Sequence, residues 1–85
     1  MYNPSPQVKV TTLYDDIILL NTHTGEYLSF NETGRLFWQV LVNTKNEDEA
    51  LQILLKQVDA PFDTLKESLH RFKDKLLQAG LIEGK

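Results

Sequence analysis

Few side chains in this chain of 85 residues have the types and spacing that catalysis or metal binding requires. The sequence contains no cysteine, which excludes a disulfide, a thiolate metal site and a thiol nucleophile. The two histidines are far apart, because His23 lies in a predicted turn and His70 on the flank of a predicted helix. We therefore predict no catalytic residue, no metal site and no cofactor.

Two acidic clusters are better explained by local structure than by chemistry. Asp15 and Asp16 follow a strand-like segment and are typical of a polar turn. Glu47, Asp48 and Glu49 lie at a predicted helix N-terminus, where carboxylates interact favourably with the helix dipole. No glycine-rich phosphate loop is present either. The sequence therefore predicts a protein that is not an enzyme.

Residues 22–38 organise the predicted fold, because a turn, a short strand and a helix start follow one another there without a spacer. Gly25 ends the turn and can adopt the positive φ that hairpin loops require. Residues 26–30 are rich in aromatic and aliphatic side chains, which is typical of a strand. Asn31 then provides a cap for a helix. Gly34 in the first helical turn costs about 1 kcal/mol relative to alanine, which predicts a close approach to another backbone.

Two further strands are predicted before this segment. Residues 8–13 alternate apolar and polar side chains, as a half-buried strand does, and residues 17–20 form a short apolar run. Together with residues 26–30 they predict a three-stranded antiparallel meander whose first and third strands have exposed edges. Residues 1–7 contain two prolines and are predicted to form a flexible, poorly packed tail.

Three helices are predicted after the meander, which together give an α+β fold. The first spans residues 32–42 and places its apolar side chains on one face. The second begins at Asn46, where Glu49 completes a capping box, and ends near Gln57.

The start of the third helix is left open by the sequence. It falls between residues 61 and 64, where Asp59 and Asp63 are competing caps. The helix is predicted to continue to Ala79, with Gly80 as a left-handed stop.

The third predicted helix combines a core stripe with a mixed flank. Four apolar side chains recur at helical spacing and predict the core stripe: Leu65, Leu69, Phe72 and Leu76. A second set lies roughly 80–140° round the helix axis and combines cations with an aliphatic side chain: Lys66, His70, Lys73 and Leu77. Both a solvated helix face and one wall of a binding groove agree with this flank.

The charge and hydropathy of the chain restrict its partners. A net charge of −3 argues against nucleic acid, because phosphate binding favours a basic surface. No apolar run approaches the roughly 18 residues of a membrane span, and the N-terminus lacks a signal-peptide pattern. We therefore predict a cytoplasmic protein with no membrane partner and no nucleic-acid partner.

The motifs of residues 21–41 resemble the signature of PqqD-like domains. In that family a turn ending in Thr-Gly, an aromatic strand, Asn-x-Thr-Gly and an aromatic helix follow one another at the spacing found here. The ending Gln-Ala-Gly-Leu-Ile of residues 78–82 is similar to the family's closing Ala-Gly-Leu-hydrophobic. The resemblance covers residues 8–83, which we predict to be one peptide-binding domain. Leu77 departs from the pattern, since a polar or basic residue is more usual there.

This resemblance implies a winged helix-turn-helix-like fold that recognises the leader of a ribosomally synthesised precursor peptide. In such domains the leader adds as a strand to the third strand's edge and lies against the third helix. The implied peptide-binding residues lie on these two elements: Tyr27, Leu28, Ser29, Phe30, Lys66, Leu69, His70, Lys73, Leu76 and Leu77. Apolar leader residues are expected to meet the aliphatic positions, and acidic ones Lys66 and Lys73. The resemblance leaves open which strand side chains face the groove, because a one-residue shift exchanges the faces.

The resemblance favours a non-catalytic, stand-alone subunit of a lasso-peptide system that works beside a separate leader peptidase or other maturation enzyme. A peptide chaperone for a radical SAM enzyme in pyrroloquinoline quinone biosynthesis is the first alternative. A DNA-binding winged helix is an alternative of a different class. However, the third helix carries four basic side chains against three acidic ones, which is poor for a duplex reader. An interaction domain of unspecified partner is the last alternative.

Overall fold

The computed structural model describes residues 1–14 and 16–84. In these residues four strands come first, three helices follow, and a fifth strand ends the order. The strands are β1 Tyr2–Pro4, β2 Val8–Leu13, β3 Asp16–Asn21, β4 Tyr27–Phe30 and β5 Ile82–Gly84. The helices are α1 Glu32–Asn43, α2 Glu47–Gln57 and α3 Phe62–Gln78. None of these helices in the described ranges is long and apolar enough to cross a membrane. The turn predicted at Asp15 lies outside the described residues.

The larger sheet has the order β2-β3-β4 and is antiparallel throughout, which confirms the predicted meander and the α+β fold class. Leu19 lies at its centre, paired with Val10 on one side and Leu28 on the other. Burial alternates along β3, where Ile17, Leu19 and Asn21 are buried. Helix α1 packs against β3 and β4 on this face of the sheet. The opposite face, with Tyr27 and Ser29, is exposed.

Two of the predicted helix caps are confirmed. The Asn31 side-chain oxygen accepts a hydrogen bond from the Gly34 amide at 3.1 Å and caps α1. The Asn46 side-chain oxygen does the same for the Glu49 amide at 2.9 Å and caps α2. Each bond satisfies one of the amide donors that a helix start leaves without an intrahelical partner.

Helix α3 begins at Phe62, within the predicted range, but neither aspartate proposed as its cap occupies the cap position. Pro61 occupies the cap position in an extended conformation, and no side chain caps the helix. Asp63 lies in the first turn, where its carboxylate still favours the helix dipole, and Asp59 precedes the cap. The helix ends at Gln78, and Gly80 adopts a φ of 69° as the predicted left-handed stop.

A second, two-stranded sheet joins the ends of the described chain. Tyr2 of β1 pairs with Gly84 of β5, and Pro4 pairs with Ile82. Ser5 is buried, and its amide donates to the Leu81 carbonyl at 3.1 Å. The backbone of the predicted tail is thus extended but paired, a contact that the sequence analysis did not include. Its flexibility in solution and the domain limits 8–83 stay predictions.

The hydrophobic core lies between the larger sheet and the three helices. Its buried apolar side chains come from both sides: Ile17, Leu19, Phe37, Trp38, Val40, Leu41, Ala50, Leu51, Leu54, Leu65, Leu69, Leu76, Leu81 and Ile82. Phe72 is half-buried at the edge of this core. The core holds β4 and α3 in fixed relative positions, because interiors of this kind are close-packed.

Candidate functional site

Strand β4 has one edge with no partner strand in the parts of the chain that the structure describes. The Asn21 amide donates to the Glu26 carbonyl at 2.8 Å, which sets the hydrogen-bonding alternation along the β3–β4 ladder. Leu28 and Phe30 therefore bond to β3 through their peptide groups. The N–H and C=O groups of Tyr27 and Ser29 point away from β3, toward the free edge.

The side chains of β4 divide between the two faces of the sheet. Leu28 and Phe30 are half-buried and pack against the hydrophobic core, on the face that the helices cover. Tyr27 is 67% exposed, and Ser29 is also exposed, on the opposite face. A peptide that pairs with the free edge would thus direct alternate side chains toward the helices, beside Leu28 and Phe30.

Aromatic contacts join β4 to α3. The ring centroids of Phe30 and Phe72 are 4.9 Å apart, and Phe72 also meets Phe37 of α1 edge-on at 5.6 Å. Such ring pairs stabilise their arrangement beyond simple burial. We use the name β4–α3 surface for the free edge of β4 together with the Phe72 side of α3.

Gly34 allows α1 to begin directly against β4. A Cβ atom at this position would lie 2.7 Å from the Cβ of Phe30, which is closer than side-chain contacts allow. Gly34 is therefore in close approach, but the prediction of another backbone as the neighbour was wrong, because the nearest atoms belong to the Phe30 side chain. The glycine thus leaves room for the Phe30 side chain at one end of the β4–α3 surface.

Asn21 connects the turn before β4 to the end of α3. Its side-chain oxygen accepts hydrogen bonds from the amides of His23 at 2.9 Å and Thr24 at 3.2 Å. Its side-chain nitrogen donates to the Gly80 carbonyl at 3.3 Å and lies 3.5 Å from that of Ala79. Because this buried amide is bonded on both ends, it holds the two walls of the β4–α3 surface together. Sequence analysis missed this role, because its one signal is a polar residue that ends an apolar strand.

Two of the predicted peptide-binding residues on α3 are core residues in this structure. Leu69 and Leu76 are buried among the apolar side chains between the helices and the sheet. Leu69 also lines the cavity beside His70 and Lys73, and both leucines are almost inaccessible. Their direct contact with a peptide stays a prediction.

The mixed flank of α3 faces a different part of the fold from Phe72. His70 Nε2 forms a hydrogen-bonded contact with a carboxylate oxygen of Glu47, at the start of α2. His70 and Lys73 also line a cavity of about 190 Å³, together with Tyr2 of β1 and Leu41. The structure therefore brings these two side chains together beside α2 and β1, whereas Phe72 contacts Phe30 of β4.

Lys66 and Leu77 belong to the same flank as His70 and Lys73 by helical spacing, and both are exposed. Lys73 Nζ lies 4.0 Å from a carboxylate oxygen of Asp74. The contribution of this flank to peptide binding stays a prediction, and the neighbours of His70 and Lys73 lie on α2 and β1.

The opposite flank of α3 contains residues that the sequence analysis did not select. Ser68 precedes Phe72 by one helical turn and is half-buried, and Lys75 follows it at i+3 and is exposed. Arg71, also on this side, forms an ion pair with Glu67. The signal that identifies this flank is the Phe30–Phe72 contact, which sequence periodicity does not contain.

The described residues offer little for catalysis. No group of three or more His, Cys, Asp or Glu side chains that could hold a metal occurs in residues 1–14 and 16–84. His23 is exposed in the turn before β4 and is distant in the chain from His70. The arrangement at the β4–α3 surface, by contrast, offers main-chain hydrogen bonds beside an aromatic floor, which suits an extended peptide.

Comparisons with known proteins agree with this architecture. The family model described as Coenzyme PQQ synthesis protein D (PqqD) matches residues 16–82. A solved structure of TbiB1 in complex with the TbiA(beta) leader peptide has a TM-score of 0.85 and 24% identity, covering 96% of this chain and 95% of that one. A lasso peptide synthetase B1 complexed with the leader peptide has a TM-score of 0.87 and 19% identity, covering 98% of each chain. No curated protein sequence matches. At these identities the solved structures establish the shared fold.

Proposed function

This chain belongs to the PqqD family, and from that premise we propose that it binds the leader of a ribosomally synthesised precursor peptide and catalyses no reaction itself. Both similar solved structures hold a leader peptide, and each matches nearly the whole of this chain. The observation that carries the proposal is the unpaired edge of β4, with the peptide groups of Tyr27 and Ser29 directed outward beside the Phe30–Phe72 contact.

The leader adds to the sheet as a fourth strand in this proposal. The N–H and C=O groups of Tyr27 and Ser29 form hydrogen bonds with it, which provide affinity that does not depend on the leader's sequence. An unpaired edge also carries a risk of aggregation, which pairing with the leader removes.

Selectivity comes from the side chains around that edge. Alternate leader residues point toward the helix-covered face, where Leu28, Phe30 and Phe72 offer apolar contacts. An apolar residue at every second leader position therefore fits this surface. The polar neighbours Ser68 and Lys75 border it on the α3 side.

The bound leader presents the rest of the precursor to a maturation enzyme. We propose a lasso-peptide pathway in the cytoplasm, with a leader peptidase as the enzyme, because the two similar structures come from leader complexes and one is named a lasso peptide synthetase B1. The description of the matching family model favours a second candidate, a peptide-binding role in coenzyme PQQ synthesis. The neighbouring genes distinguish the candidates: a precursor beside a peptidase and a cyclase supports the first, and one beside a radical SAM enzyme the second.

Titration of the ¹⁵N-labelled chain with the leader of a neighbouring precursor tests the proposal directly. We expect the largest amide shifts at Tyr27 and Ser29, with smaller ones around Phe72, and none with a scrambled leader of the same composition. Shifts confined to residues 8–13, on the opposite edge of the sheet, would contradict the proposed site. An absence of shifts at saturating leader would contradict leader binding.

Charge reversal on the two flanks of α3 tells which one reads acidic leader residues. We expect the double variant Arg71→Glu and Lys75→Glu to weaken leader binding about three- to tenfold, because these side chains border the Phe72 side. The matched double variant Lys66→Glu and Lys73→Glu alters the charge equally on the other flank. Isothermal titration calorimetry measures both affinities, with thermal unfolding as the control for folding.

The comparison of the two double variants also tests the prediction from the sequence that Lys66 and Lys73 meet acidic leader residues. A larger loss in the Lys66 and Lys73 variant would support that assignment and move the site toward α2. Affinities equal to that of the parent chain in both variants would exclude charge on α3 as a determinant of leader binding.

A further inference from the structure

Strand β2 forms the second edge of the larger sheet, on the side opposite β4. The Thr22 amide donates to the Gln7 carbonyl at 2.9 Å, so hydrogen-bonded pairs recur at every second residue along the β2–β3 ladder. Lys9 and Thr11 therefore bond to β3, and the peptide groups of Val10 and Thr12 point outward. No strand covers this edge in the part of the chain that the structure describes.

Of the usual protections against pairing, this edge has one lysine and no other. It is six residues long, contains no proline and has Lys9 as its one charged side chain. Natural edge strands are generally short, strongly charged, interrupted by proline or covered. An edge protected by a single charge still presents a row of unpaired backbone groups to another strand.

Exposed apolar side chains are concentrated at the same edge. Val10 is 45% exposed, Leu13 is 55% exposed and Tyr14, in the turn that follows, is 93% exposed. Tyr14 also has a φ of 56°, which is rare and unfavourable for a bulky residue. Its positive φ is what a tight hairpin turn requires, so the contact surface is indicated by the exposed apolar side chains beside the open edge.

We propose that β2 pairs antiparallel with β2 of a second copy of this chain, around a two-fold axis at Thr11. Residues opposite one another then share a face of the sheet, and Val10 lies opposite Thr12 of the second copy. Val10 and Thr12 are the residues whose peptide groups point outward. Each therefore forms a hydrogen-bonded pair with the other residue in the second copy, one pair on either side of the axis. The product is a continuous six-stranded sheet with β4 at each outer edge.

Charge complementarity identifies the occupant as a second copy rather than an unrelated strand. In this register Lys9 lies opposite Leu13 of the second copy, and Leu13 pairs within its own sheet with Asp16. Lys9 and Asp16 of the second copy are then on the same face, two strand spacings or about 10 Å apart at the backbone. A lysine and an aspartate side chain can bridge that separation, and the two-fold axis forms the ion pair twice.

A single pair of strands makes a small interface. It is below the roughly 800 Å² that each partner buries in a standard stable complex, so we expect a dissociation constant on the order of 100 μM. The dimer leaves both β4 edges accessible, so it does not depend on leader binding and does not compete with it.

Sedimentation equilibrium over a concentration series through that range tests the dimer. Val10→Pro removes an outward N–H without removing a bond to β3, and we expect it to remain monomeric throughout. Val10→Ala keeps the N–H and is expected to retain measurable dimer. A monomeric parent chain at every concentration, or a Val10→Pro variant that dimerises as the parent does, would overturn the proposal.

Charge exchange tests the register independently. We expect Lys9→Glu and Asp16→Lys each to raise the dissociation constant about tenfold, and the variant with both changes to return to within about threefold of the parent. Lys45→Glu makes the same charge change in an exposed loop and is expected to leave the dimer unaltered. A double variant as weak as the single ones would overturn the proposed pairing. Leader affinity lost in Val10→Pro would place the leader at β2 and overturn the dimer as well.

Discussion

Replacing Ser29 with proline is expected to weaken leader binding about ten- to hundredfold while the domain remains folded. Proline removes the outward N–H of β4, which leaves the leader carbonyl opposite it without a donor. A net hydrogen bond contributes about 0.5–1.5 kcal/mol, and an unsatisfied polar group in the interface costs about 1–3 kcal/mol. Because the Ser29 amide is not used in the β3–β4 ladder, the sheet itself loses no bond.

Two matched variants isolate that effect. Ser29→Ala removes the exposed hydroxyl but keeps the N–H, so we expect its leader affinity to stay close to that of the parent. Val10→Pro makes the same backbone change on the opposite edge and is expected to leave the affinity for leader unchanged. Fluorescence anisotropy with a labelled leader gives all three affinities. A Ser29→Pro variant that is folded and binds normally would exclude strand addition at β4.

The helices were predictable from local signals in the sequence. Asn31 and Asn46 cap α1 and α2 as expected, because an N-cap depends on a few adjacent residues. The start of α3 was not resolved, since two aspartates competed as caps and Pro61 occupies the position instead. Helix ends that lack a side-chain cap leave no comparable signal in the sequence.

The pairing of β1 with β5 was outside the reach of the sequence analysis. Each of these strands has three residues, too few for an alternating pattern to be recognised, and Pro4 argues against a strand. Their pairing joins the two ends of the chain, so it depends on where α3 delivers Ile82 rather than on local composition.

The candidate site was likewise predictable only in part. The edge of β4 followed from the predicted meander, because a third strand at the end of a sheet has one free side. The facing side of α3 did not follow, because helical periodicity distinguishes the core stripe from its flanks but does not tell which flank is nearest β4. The contacts of Phe72 with Phe30, and of His70 with Glu47, distinguish the two flanks.

Replacing Trp38 with alanine is expected to destabilise the domain by about 3–5 kcal/mol, the usual cost of removing a large buried aromatic side chain. Trp38 is 6% exposed and belongs to the core between α1 and the other elements. Domains of this size are commonly stable by roughly 4–13 kcal/mol, so this loss is a large part of the total. Urea denaturation followed by circular dichroism measures it, since the variant lacks the chain's one tryptophan.

Two control variants test whether the destabilisation comes from lost buried volume at position 38 rather than from any substitution on α1. Trp38→Phe keeps most of the buried volume, so we expect a smaller destabilisation than for alanine. Gln39→Ala alters the neighbouring exposed position and is expected to leave the unfolding midpoint within experimental error. A Trp38→Ala variant as stable as the parent would show that the core does not depend on this side chain.

Because the core positions α3 against β4, leader affinity is expected to fall with stability in Trp38→Ala. In Ser29→Pro the leader affinity is expected to fall while the stability of the domain stays the same. Measuring both quantities therefore distinguishes damage to the fold from damage to the edge of β4.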